Sequence, residues 1–215
     1  MPTCMKGQVK ASEVVMIGDS YIQIPGTLEG DIEAHARMEG ALGATETYRN
    51  YAVSGTSLGN GQIPSQYETA KTLNKDIKVV IMDGGGNDVL ILNPVCLSAK
   101  PAANSASCVM TVQNAISAAQ KLLDEAAADG VEDVVYFFYP SVPAVTGDIL
   151  DYSEPKAQAF CDGAQKPRCH FVSTKAAFAG MSGLIGLDNI HPTVQGAQLI
   201  ADLIWARMVK DCIAQ

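Results

Sequence analysis

Tryptophan occurs once in this chain, histidine three times, and aromatic residues make up only 6% of it. Lys and Arg form no cluster anywhere. Each scarcity excludes something. Nucleic acids and anionic membrane surfaces are bound chiefly through cation density, which a net charge of -8 without a basic patch does not supply. One tryptophan and few other aromatics leave no extended platform for stacking sugars. The longest apolar stretches, residues 134–145 and 176–187, are interrupted by proline or glycine and fall short of a membrane span. Also missing are a linker, an internal repeat and any CxxC pair, and three histidines do not complete a zinc set from the cysteines present.

What remains is the composition of a folded protein. With 215 residues, 47% of them hydrophobic and 18% charged, the chain suits one domain over 1–215 with a single core and small neutral or cationic substrates. A monomer or weak oligomer is expected. Six cysteines read best as disulfides. Cys96 with Cys108, and Cys161 with Cys169, each enclose a Pro-, Ser- or Lys-rich stretch without apolar periodicity, where a covalent staple is useful. Cys4 and Cys212 are then left to tie the termini together, which requires the first strand and the last helix to end near each other. An even count in a small domain points to an oxidising compartment. No signal peptide precedes Cys4, so the expectation is a mature secreted or periplasmic form with an added Met1. The rival is a cytosolic protein with buried free thiols.

Apolar runs alternate with helix-like periodicity. Strands are predicted over residues 13–17, 45–53, 77–82, 133–139 and 169–173. Helices are predicted over 28–42, from Pro64 onward, over 111–129 ending at Gly130, and over 193–212 with Thr193 as cap. Strands without polar alternation imply a sheet covered on both faces, hence a parallel α/β layer structure. Ligands of such sheets bind beyond the carboxyl ends of the strands.

Four short segments fall at those ends or just before a helix: Gly18-Asp19-Ser20, Asn50-Tyr51-Ala52-Val53-Ser54-Gly55, Gly84-Gly85-Gly86-Asn87-Asp88 and Asp188-Asn189-Ile190-His191-Pro192. Ser20 follows the first strand and is the candidate nucleophile. A hydroxyl needs a base within hydrogen-bond reach, and of His35, His170 and His191 only His191 lies in a loop beside a suitably spaced carboxylate, Asp188. One turn can aim Asp188 at the second imidazole nitrogen. The oxyanion formed by attack on an acyl carbon then needs donors, for which the Ser20 and Gly55 N–H groups and the Asn87 amide are candidates. His35 and His170 read as structural or solvated, Asp88 as a loop brace, and Asp83 as the cap of its strand.

The four segments resemble the four sequence blocks of the SGNH hydrolase superfamily, the GDSL-type lipases and esterases, over residues 18–192. The family's Ser, Gly, Asn and His fall on Ser20, Gly55, Asn87 and His191, and its Asp on Asp188. The resemblance implies a three-layer αβα flavodoxin-like fold with a parallel five-stranded sheet of order 2-1-3-4-5. It also implies cofactor-free, metal-free hydrolysis of esters or thioesters by a serine esterase at a shallow, open site. Two departures stand out. The first block reads Gly-Asp-Ser-Tyr, placing Tyr21 where the family name has Leu, and residues 93–110 look like an insertion stapled by Cys96 and Cys108 that walls one side of the site.

Other readings compete. Gly55-Thr56-Ser57-Leu58-Gly59 fits the Gly-x-Ser-x-Gly elbow of α/β-hydrolases, which would make Ser57 the nucleophile, but Asn60, Gly61 and Pro64 follow where a helix must start at once. A dinuclear metallophosphoesterase lacks ligands. A non-catalytic carbohydrate-binding module leaves a complete Ser-His-Asp set unexplained. Substrates in the family include short-chain and aryl esters, acetylated sugars, lysophospholipids and acyl thioesters, and a short acyl ester is the default. Tyr21, Ile22, Ile24, Pro25, Val89 and its followers to Leu92, and residues 181–187 ending at Leu187, either line an acyl pocket or pack beneath the loops.

Overall fold

In the computed structural model, which describes residues 4, 9–23 and 28–215, the apolar runs form five strands. These are β1 (Val14–Ile17), β2 (Arg49–Asn50), β3 (Val79–Met82), β4 (Asp133–Phe138) and β5 (Arg168–Ser173). All neighbours pair in parallel, in the order β2-β1-β3-β4-β5, which is the expected flavodoxin-like topology. Every residue of β1, β3 and β4 is buried, and the pleat sends successive side chains to opposite faces. Met16, Ile81 and Phe137 enter one core, against helices α2 (Leu28–Met38) and α7 (Val194–Lys210). Ile17, Met82 and Tyr136 enter the other, against α3 (Gln62–Leu73), α4 (Ala106–Asp129) and α5 (Ile149–Gly163). Two short helices complete the set, α1 (Ser20–Gln23) and α6 (Lys175–Phe178).

Several boundaries differ from the periodicity, each for a local reason. Strand β2 keeps only Arg49 and Asn50, the two residues paired with Val15 and Met16 of β1, and their side chains are taken up by other elements. Arg49 donates to the carbonyls of Ser12, Ala70 and Asn74, and Asn50 to Glu29. Helix α2 stops at Met38, four residues before Leu42. Helix α4 begins at Ala106, where the Ser105 hydroxyl accepts the Cys108 N–H at 3.5 Å. Thr193 caps α7 as expected, accepting the Gly196 N–H at 3.2 Å. Helix α5 has no counterpart in the sequence prediction, since Pro155 lies inside it and interrupts the pattern that marks a helix.

The cysteines pair as Cys96–Cys108, Cys161–Cys169 and Cys4–Cys212. This pattern suits an oxidising, extracellular setting. Among the described residues, no helix is long and apolar enough to cross a membrane. Ile24 and Pro25 lie outside the described residues.

Candidate active site

At the carboxyl end of β1 the chain turns through Gly18 and enters α1 at Ser20. Gly18 has φ +148°, and a Cβ there would lie 1.9 Å from Asp83 Oδ1, so only glycine lets the turn before Ser20 run close against β3. The Gln66 side chain clasps this glycine, accepting its N–H at 2.7 Å and donating to its carbonyl at 2.9 Å. Asp19 then caps α1 by accepting the Tyr21 N–H at 3.1 Å. Ser20 is thereby held at the helix start.

His191 reaches it from a loop closed on itself. The Gly186 N–H donates to the His191 carbonyl at 2.8 Å and the Thr193 N–H to Leu184 at 2.9 Å, while Ile185 and Pro192 form an antiparallel bridge. Within that loop Asp188 Oδ1 accepts the N–H groups of Ile190 and His191, each at 3.0 Å, leaving Oδ2 2.6 Å from His191 Nδ1. On the other side of the ring, Nε2 lies 2.8 Å from Ser20 Oγ. The Ile190 N–H, then the imidazole and the His191 N–H, hold the Asp188 carboxyl down to about 2. It is ionised at every pH where an imidazole can act as base.

The remaining expected residues fall around this line. Gly55 adopts φ +81° on the β2 side of the site, and neither its N–H nor that of Ser20 has a protein acceptor among the described residues. Asn87 is buried, and its Nδ2 donates to the Thr56 carbonyl at 2.9 Å, with Asp19 Oδ2 at 3.3 Å. Asp88 braces the adjacent loop, accepting the N–H groups of Leu58 at 2.9 Å and Gly59 at 2.6 Å. Tyr21 and Val89 border the pocket beside Ser20, whereas Ile22 packs into the core beneath and Leu187 stands fully in solvent, so neither lines it. Ser57, the rival nucleophile, is buried, and its hydroxyl meets Gln62 at 3.4 Å. His35 pairs with Asp202 at 2.6 Å, and His170 lies between Asp133 at 2.7 Å and Asp211 at 2.8 Å.

Sequence reasoning missed a buried polar layer under Ser20. Asp83, expected only to cap a strand, accepts the Asp19 N–H at 2.6 Å, and Asp19 Oδ2 in turn accepts the Tyr139 hydroxyl at 2.6 Å. Burial first, and the Asp19 charge second, push the Asp83 carboxyl well above the usual carboxylate range. Its Oδ2 is buried and has no hydrogen-bond partner among the described residues, so a proton there avoids a second buried charge. The clue available in the sequence was the position of Asp83 and Tyr139 at the ends of adjacent strands. A second missed link is Tyr21, whose hydroxyl donates to the Ile190 carbonyl at 2.6 Å and whose ring meets Tyr139 edge-on at 5.0 Å. The residue that departs from the family pattern ties α1 to the histidine loop.

A parallel α/β sheet with a Ser-His-Asp line at its carboxyl edge defines a class of hydrolase-like proteins. The chain belongs to the GDSL-like Lipase/Acylhydrolase family, whose model matches residues 16–199. Membership supports an ester-hydrolysing enzyme. The fold is also that of solved structures with little sequence in common. A carbohydrate esterase family 3 protein from Talaromyces cellulolyticus superposes with a TM-score of 0.70 at 14% identity, over 93% of this chain and 97% of that one. A lipase from goat rumen metagenome gives 0.66 at 18%, over 90% and 96%. Axe2, an acetylxylan esterase from Geobacillus stearothermophilus, gives 0.63 at 16%, over 91% and 93%. Comparison with curated protein sequences gives no match.

Proposed function

We propose that this protein is a serine esterase that cleaves small carboxylic esters through an acyl-enzyme. The observation that carries the reading is the unbroken line from Asp188 through His191 to Ser20, with contacts of 2.6 and 2.8 Å. In this reading Ser20 Oγ attacks the acyl carbon while His191 Nε2 takes its proton, and Asp188 fixes the tautomer and stabilises the imidazolium. The negative charge on the former carbonyl oxygen is met by the N–H groups of Ser20 and Gly55 and by the Asn87 amide. Of the two Nδ2 hydrogens, the one bonded to Thr56 anchors the amide and the one on the longer 3.3 Å contact to Asp19 turns to the oxyanion; preorganised donors of this kind are worth about 3 kcal/mol each. His191 next protonates the departing alcohol. Water, deprotonated by the same imidazole, releases the acid and restores Ser20. We further propose one catalytic domain, secreted or periplasmic, acting as a monomer or weak oligomer on a soluble ester.

The test uses p-nitrophenyl acetate in the presence of EDTA. Ser20→Ala is expected to lose roughly 10⁴-fold or more in kcat, Asp188→Asn roughly 10³- to 10⁴-fold, and Ser57→Ala little. The opposite pattern for the two serines would overturn the assignment in favour of an α/β-hydrolase elbow. Sensitivity to EDTA would favour metal-dependent phosphoester chemistry, and absence of acyl turnover across a substrate panel would favour a binding module.

A further inference from the structure

Behind Ser20 a pocket of about 90 Å³ runs from the candidate active site into the layer between α4, α5 and the sheet. At one water-sized group per 10–15 Å³, it has room for roughly six to nine such groups. Its floor is Tyr136 and Phe138 of β4. The space exists because alanines occupy the facing helix positions. Ala115 and Ala119 stand one turn apart on α4, Ala157 faces them from α5, and Leu150 and Phe160 close the sides. Leu97, from the segment stapled by Cys96 and Cys108, forms part of the outer wall, where its carbonyl is fixed by the N–H groups of Thr146 at 2.8 Å and Gly147 at 2.7 Å.

At the mouth of this pocket lie Ser20, Asp19, Asn87 and Asp88, the last three already bonded to Tyr21 and Tyr139, to Thr56, and to Leu58 and Gly59, and the polar groups deeper in are turned into the protein. Tyr136 donates its hydroxyl to the Gly84 carbonyl at 2.8 Å, Ser153 to Ile149 at 2.7 Å, Thr111 to Ser107 at 3.0 Å and Tyr139 to Asp19 at 2.6 Å. No Lys, Arg or His belongs to the lining among the described residues. Sugar hydroxyls entering here would lose water without gaining partners, and an anionic head group would meet no cation. An alkyl chain loses nothing.

From this we infer that the pocket is the acyl site, and that it selects esters of unbranched acyl groups of about six carbons over acetyl esters. The inference rests on the esterase reading for its chemistry and extends the short-acyl expectation. The ester carbon sits at Ser20, the alcohol leaves toward solvent, and successive methylenes run between Ala115, Ala119 and Ala157. Burial of each methylene favours the longer ester roughly fourfold, so four additional methylenes leave ample margin for a tenfold preference.

Two measurements decide it. In the wild type, kcat/KM for p-nitrophenyl hexanoate should exceed that for the acetate at least tenfold. Ala119→Phe, or Ala157→Leu where the first variant does not give a cooperative thermal transition, should cut that ratio at least tenfold. Acetate preference in the wild type, or a folded blocking variant that keeps the ratio, overturns the inference. Binding to Ser20→Ala, followed by calorimetry, removes the dependence on turnover: methyl hexanoate should bind at least tenfold more tightly than methyl acetate, and equal affinities overturn the pocket. Complete absence of ester turnover in the wild type would sink the esterase reading alone, with the binding measurement still deciding the pocket.

Discussion

Asp83 shows how one side chain can carry a cost that the local sequence does not announce. In an unfolded chain its carboxyl titrates near pH 3.9, but in the fold burial and the neighbouring Asp19 raise it well above that. Through the window between those two values the native state keeps a proton that the unfolded state has released. Stability therefore falls as pH rises through it, by about 1.4 kcal/mol for each pH unit the window spans. Asp83→Asn keeps an oxygen for the Asp19 N–H and removes the titration. Urea unfolding at acid and neutral pH should show the variant gaining relative to wild type as pH rises from about 4 to 7. A constant difference across that range would refute a raised Asp83. Ser20, Asp188 and His191 were legible as candidates because the motif that marks each lies within one short segment, whereas Asp19, Asp83 and Tyr139 meet only across β1, β3 and β4.

At the scale of elements, the distance between α1 and the histidine loop is set by Tyr21. Its hydroxyl reaches the carbonyl of Ile190, the residue before His191, and its ring lies 6.1 Å from the His191 imidazole. Tyr21→Phe keeps the ring packing and deletes one hydrogen bond, worth about 0.5–1.5 kcal/mol. The expected outcome is a loss of roughly three- to tenfold in kcat, with KM nearly unchanged and the thermal midpoint lowered by about 1–6 °C. If KM rises while kcat holds, Tyr21 binds substrate and does not position the loop. The sequence pattern located strands and most helices within a few residues, since long apolar runs dominate them. It missed α5, where Pro155 hides the period and packing against β5 and α4 supplies the stability.

Across the whole molecule, the disulfides differ in what they restrain. Cys4–Cys212 closes a loop 208 residues long, whereas Cys161–Cys169 spans 8. Loop-closure entropy grows with that span, so the terminal bridge should contribute more, within the usual range of about 2–5 kcal/mol. Replacing both its cysteines by serine should lower the thermal midpoint by roughly 4–20 °C. The drop should exceed that of the corresponding Cys161 and Cys169 double variant. A larger drop from the shorter bridge would show that local packing, not chain closure, dominates.

The sequence alone determined the parallel layered fold and the family, because hydrophobic period and motif order are local properties of a chain; it made the three cysteine pairs an expectation that the fold then brought together. It also named Ser20, Gly55, Asn87, Asp188 and His191 as candidates. Only the tertiary structure decided that Asp83 and Asp19 sit one above the other, that Tyr21 reaches the histidine loop, and that Ile22 is core while Leu187 is solvent-exposed. It alone revealed the channel between α4 and α5, because a cavity is a property of how helix faces meet, and three alanines say nothing of space until they are brought opposite one another.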